Sequence, residues 1–89
     1  GRGQGRAEDR MTISVLLFAR YREAAGAAAI DVEIGEGATL ADVWQRVRAR
    51  VPALQDERPL FSCDRAYARP DHPVTGREEI ALFPPVSGG

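Results

Sequence analysis

The chain has 89 residues, enough for one domain with a modest core. Its composition, 44% hydrophobic and 28% charged, is that of a globular protein and excludes disorder on composition. Twelve basic against thirteen acidic residues leave a net charge of -1, which offers no electrostatic footprint for nucleic acid or an anionic membrane.

All twelve basic residues are arginine, so the chain has no side-chain amine that could accept an isopeptide bond. The single cysteine, Cys63, excludes an intramolecular disulfide framework and fits a reducing cytoplasm. No apolar run approaches the ~20 residues that cross a bilayer.

Residues 1–10 (GRGQGRAEDR) lack apolar periodicity. They read as a flexible extension or expression remnant ahead of a start at Met11, with the folded domain in 11–89 and no secretory signal. Thr12–Phe18 (TISVLLF) is short, apolar and β-branched, the pattern of a buried strand. Arg20–Ala25 fits a short helical turn stopped by Gly26. Ala29–Ile34 alternates, with Ile30, Val32 and Ile34 on one face and Asp31 and Glu33 on the other, as a half-buried strand does. The short link between these two strands predicts an antiparallel pair.

Gly35-Glu36-Gly37 reads as a turn. The main helix follows, with Thr39 as N-cap and Asp42 as its capping-box partner. Leu40, Val43, Trp44, Val47 and Val51 share one helical face, while Gln45, Arg46, Arg48 and Arg50 point away. Pro52 ends the helix, because a residue before proline avoids the α region. Pro59–Cys63 predicts a third strand, Asp64-Arg65 a turn, and Ala66–Ala68 a brief return. Residues 69–76 read as loop, and Glu78–Phe83 as the last strand, with Ile80 and Leu82 on one face and Ala81 and Phe83 on the other. This order predicts an α+β fold of the β-grasp, ubiquitin-like kind: a mixed sheet of four to five strands, one main helix across one face, and the first and last strands adjacent at its centre.

Inside the domain no group of side chains converges as an active site. Cys63 needs a placed base or positive charge to be nucleophilic, and in a strand it is more often a small core residue. One cysteine and one histidine, His72, fall short of a zinc set, so no metal site is expected. Trp44 belongs to the apolar stripe and reads as core. The tail is different. Ser87-Gly88-Gly89 ends the sequence after Pro84-Pro85. Two glycines make a thin, adaptable segment that can thread a narrow channel and offer the Gly89 carboxyl group.

The stretch Phe83-Pro84-Pro85-Val86-Ser87-Gly88-Gly89 resembles the end of the small subunit of molybdopterin synthase, the MoaD-type sulfur carriers. Val15-Leu16-Leu17-Phe18-Ala19 with Arg22-Glu23 and Gly26 is similar to that family's opening strand and turn. Asp71-His72-Pro73-Val74, Gly76 and Glu79-Ile80-Ala81 are similar to its run into the last strand. The resemblance covers Met11–Gly89. It implies a cytoplasmic β-grasp protein that binds no cofactor itself.

The resemblance further implies that an E1-like adenylyltransferase activates Gly89 with ATP, and that a sulfur donor converts it to a thiocarboxylate. Pro84, Pro85, Val86, Ser87 and Gly88 would thread into the large synthase subunit, within a heterotetramer, and deliver sulfur to a cyclic pyranopterin. Phe18, Tyr67 and Phe83 would form an apolar patch toward that subunit. The chain departs from the family at Asp64, where asparagine is common, and at Tyr67, where an aliphatic residue is usual. Carriage of sulfur for thiazole or another cofactor, and a ubiquitin-like modifier or interaction module, are the alternative readings.

Overall fold

A computed structural model describes residues 10–55 and 58–85. Strand β1 (Arg10–Leu17) sends Ile13, Val15 and Leu17 inward and Thr12, Ser14 and Leu16 outward, the alternation of a half-buried strand. It begins earlier than the sequence suggests: Arg10 and Met11 pair with Gly35 and Ile34 of β2 (Ala29–Gly35). It also ends at Leu17, so Phe18 lies just past it.

Between them, α1 (Arg20–Ala25) is a true short helix closed by Gly26 in the left-handed conformation, whose N–H donates to the Arg22 and Glu23 carbonyls. Ala19 enters α1 at φ 55°, a conformation a Cβ disfavours, and this reversal leaves Phe18 outside while Tyr21 is fully buried against Trp44.

Helix α2 (Leu40–Arg50) carries the predicted capping box. The Thr39 N–H donates to Asp42 Oδ2 at 2.9 Å, and the Asp42 N–H donates to Thr39 Oγ1 at 3.4 Å. Two more first-turn N–H groups, which a helix cannot satisfy internally, are taken up from outside: Leu40 donates to the His72 carbonyl at 3.0 Å and Ala41 to that of Pro70 at 2.9 Å. The Val74 N–H returns a bond to the Ala38 carbonyl. The 69–76 segment is therefore fastened to the start of α2, with Val74 buried in the core.

Strands β3 (Leu60–Cys63), β4 (Ala66–Ala68) and β5 (Ile80–Phe83) complete a five-stranded sheet in the order β2-β1-β5-β3-β4. β1 and β5 are parallel, and every other pairing is antiparallel. The last strand starts at Ile80 rather than Glu78. Leu40, Val43, Trp44 and Val47 of α2 pack with Ile13, Val15, Leu17, Val32, Ile34, Phe61, Ile80 and Leu82 in one core. This is the β-grasp arrangement.

Ahead of β5, Glu78 closes a tight loop. Its carboxylate accepts from the N–H groups of Thr75 and Gly76 and from Thr75 Oγ1, at 2.9–3.1 Å. Partial burial works against the charge, but these hydrogen bonds outweigh it and hold the Glu78 carboxyl below its ordinary range. A carboxylate with a lowered folded pKa stabilises the fold above its unfolded pKa, about 4.3, and that contribution fades as pH falls through the folded value. Glu78→Gln should cost about 1 kcal/mol at neutral pH in urea unfolding. The gap to the parent chain should close as the pH is lowered through the carboxylate range. Thr39→Ala should cost about 1 kcal/mol in the same measurement by removing the cap.

Candidate functional site

The outer face of the sheet, opposite α2, divides along β1. Thr12 and Ser14 lie beside Glu33 and Asp31 of β2, making that half polar. Toward β5 the face turns apolar, because the registers place Leu16 beside Ala81, Ala81 beside Ser62, and Ser62 beside Tyr67. Partnered residues point to the same side of a sheet.

One step further along, the Phe18 N–H donates to the Leu82 carbonyl at 3.3 Å, extending the parallel ladder past the end of β1. The Phe18 ring then stacks on that of Phe83, centroids 4.6 Å apart and planes 7° from parallel. Tyr67 meets Phe83 edge-on at 6.4 Å and 71°. Offset and edge-to-face contacts are the preferred aromatic geometries. Phe18 is 39% and Tyr67 77% exposed, the two large hydrophobic side chains left open among the described residues. Together with Leu16, Ser62 and Ala81 they line a shallow depression of about 360 Å³.

The rim is set by the β3–β4 hairpin. Asp64 (φ 52°) and Arg65 (φ 71°) form a two-residue turn in the left-handed region, which suits the twist of the strands and which aspartate tolerates better than arginine does. Hydrogen bonds to the start of β5 hold it. The Asp64 N–H donates to the Glu79 carbonyl at 2.8 Å, the Glu79 N–H donates to Asp64 Oδ1 at 2.9 Å, and Arg65 Nε reaches Glu79 Oε1 at 3.3 Å. This clamp fixes the level of Tyr67 relative to Phe83. The sequence shows a turn here, but not that Glu79, fifteen residues away, is its partner.

The structure thus brings Phe18, Tyr67 and Phe83 together, although they come from three separate segments. Pro84 and Pro85 follow Phe83 at the edge of this patch, each half-buried. Val86, Ser87, Gly88 and Gly89 lie outside the described residues.

Cys63 and His72 line a different surface, a shallow cavity shared with Asp64 and Asp71. Burial pushes the Cys63 thiol up, and the nearby Glu78 and Asp64 charges push it further, the opposite of what an activated nucleophile needs. Among the described residues no three His, Cys, Asp or Glu side chains converge as a metal site. No described helix is long and apolar enough to cross a membrane.

The ThiS family matches residues 15–89. The molybdopterin synthase sulfur carrier subunit of Chlamydomonas reinhardtii is 36% identical, covering 89% of this chain and all of its own length. That of Escherichia coli is also 36% identical, over 86% of this chain and 99% of its own. Small archaeal modifier protein 1 of Haloferax volcanii is 31% identical. Its crystal structure superposes with a TM-score of 0.74, covering 84% of this chain and 98% of that one. With a match over most of its length and relatives of this similarity spanning their own full extent, the chain belongs to the ThiS family and stands among the molybdopterin synthase sulfur carrier subunits within it.

Proposed function

We propose that this protein carries sulfur in molybdopterin biosynthesis as the small subunit of the synthase. One observation carries the reading furthest. A stacked, partly exposed aromatic patch sits at the root of a Pro-Pro-Val-Ser-Gly-Gly tail, in a chain related over nearly its whole length to named sulfur carrier subunits.

In this reading a Gly89 carboxylate oxygen attacks the α-phosphorus of ATP on an E1-like enzyme and pyrophosphate leaves. The acyl-adenylate has the leaving group that a free carboxylate lacks. A sulfur donor then displaces AMP and leaves a thiocarboxylate, whose soft anionic sulfur is nucleophilic near neutral pH much as a thiolate is. Val86–Gly89 spans roughly 10–14 Å when extended, enough to carry sulfur from the domain surface into a partner's interior. Pro84-Pro85 narrows the conformations at the tail's root and so lowers the entropy lost on docking.

The large synthase subunit would seat the Phe18–Phe83–Tyr67 patch, admit the tail and catalyse transfer to cyclic pyranopterin monophosphate. Two carriers would flank a central pair of large subunits. The chain supplies the reactive terminus and the address, and its partners supply catalysis. A second reading, as a protein modifier, draws on the similarity to the archaeal modifier protein. It uses the same activated Gly89 with a lysine of another protein as acceptor.

Incubation with ATP, an E1-like enzyme and a sulfur donor should raise the intact mass by the difference between one sulfur and one oxygen, and deletion of Gly89 should abolish the shift. An unchanged mass with partners that thiolate a related carrier would refute sulfur carriage. Recovery mainly as isopeptide adducts on other proteins would favour the modifier reading. Capture of a thiazole synthase in place of the large synthase subunit would redirect the pathway. Phe83→Ala should weaken binding to the large subunit by about 2 kcal/mol or more while far-ultraviolet circular dichroism stays unchanged. Tyr67→Ala, with most of its ring in solvent, should weaken binding with no measurable change in melting temperature.

A further inference from the structure

Activation of Gly89 creates an acylating agent, and a solution of activated carriers exposes each one to the nucleophiles of all the others. Lysine amines and cysteine thiols are the side chains that compete for an acyl-adenylate near neutral pH. The chain has no lysine in 89 residues.

Its twelve cationic positions are all arginine, whose delocalised guanidinium stays protonated and does not attack acyl carbon. At two of the described ion pairs the geometry does not require arginine. Arg10 approaches Glu33 through one nitrogen at 3.8 Å, and Arg69 approaches Asp71 through one nitrogen at 3.8 Å, both in solvent. Neither uses the two-pronged fork that sets arginine apart, so a lysine would serve equally well as a charge.

The one thiol is withdrawn by other means. Cys63 is half-buried at the end of β3, and that burial, followed by the nearby Glu78 and Asp64 charges, pushes its thiol pKa up and disfavours the nucleophilic thiolate. Resting on the activation chemistry above, we propose that this protein is an acyl donor whose own side chains do not serve as acyl acceptors. An isopeptide made from its activated form then sits on a lysine of a different protein, and carrier-on-carrier chains linked through side chains do not form.

The step balances simply. The acceptor nitrogen bonds to the Gly89 carbonyl carbon, the carbon–oxygen bond to AMP breaks, and the amine proton passes to solvent. On this chain no side chain can supply that nitrogen.

The test is activation by an E1-like enzyme and ATP with no sulfur donor present, read by intact mass and by hydroxylamine treatment, with pyrophosphate release measured in parallel. The parent chain should release pyrophosphate and return to free carboxylate with no side-chain-linked species at twice its mass less one water. Arg69→Lys and Arg46→Lys, both at exposed sites, should yield that species in hydroxylamine-resistant form. A side-chain-linked dimer of the parent chain would overturn the proposal, as a thioester through Cys63 if hydroxylamine cleaves it. Lysine variants that release pyrophosphate yet stay monomeric would also overturn it, since the missing amine would then not be the protection. Absence of pyrophosphate release with an enzyme that activates a related carrier would instead refute the activation chemistry itself.

Discussion

Two strands from opposite ends of the chain lie side by side at the centre of the sheet. Their register, Val15 on Ile80, Leu16 on Ala81 and Leu17 on Leu82, governs what each face becomes. Val15, Leu17, Ile80 and Leu82 fall together on the side that α2 covers, where they are almost entirely removed from water. The residues between them are committed to the other side, because a strand's side chains alternate. A slip of one residue would exchange the two sets and expose the core. The burial that stabilises the domain therefore also places Phe18 against Phe83, at the root of the tail.

Around that centre, polar contacts hold the periphery. The capping box of α2 receives the 69–74 segment, so that first-turn N–H groups and the carbonyls of Pro70 and His72 satisfy one another. The Asp64–Glu79 pair of hydrogen bonds ties the β3–β4 turn to the entrance of β5. These links join stretches with little apolar content of their own to the strands that carry the core. An otherwise loose edge strand is held at the level where Tyr67 can meet Phe83. The apolar patch is thus supported by the sheet and by these hydrogen bonds, and such preorganisation lowers the ordering cost for a partner that seats on it. Proteins of this size seldom leave stacked aromatics open without such a use.

In the proposed reading the domain presents chemistry to its partners rather than performing it. Its cationic side chains are guanidinium groups, burial raises the pKa of its thiol, and its carboxylates serve structure at Asp42, Asp64, Glu78 and Glu79. No convergent acid, base or nucleophile appears among the described residues. The reactive group proposed for the chain belongs to the main chain at Gly89, where side-chain chemistry has no part.

Much of this was legible in the residues themselves. Alternation marked the second and last strands, a short β-branched apolar run the first, and the 3.6-residue period the main helix, while Thr39, Asp42, Gly26 and Pro52 marked helix ends through local hydrogen bonding and sterics that act over three or four residues. The element order gave the β-grasp, and the Phe83–Gly89 stretch gave the family. Where the sequence fell short, the deciding force was non-local. Arg10 and Met11 join β1 because Gly35 and Ile34 offer them partners, and Tyr21 turns inward because Trp44 is there to receive it. The 69–74 segment has a defined course only because the α2 N-terminus needs acceptors. The clustering of Phe18, Tyr67 and Phe83 and the pairing of Asp64 with Glu79 depend on which strands lie adjacent. The sequence by itself determined the elements, their order and the family, since those follow from local periodicity, residue type and motif. The tertiary structure alone decided that three distant aromatic rings share one surface, because only strand adjacency and register bring them within contact.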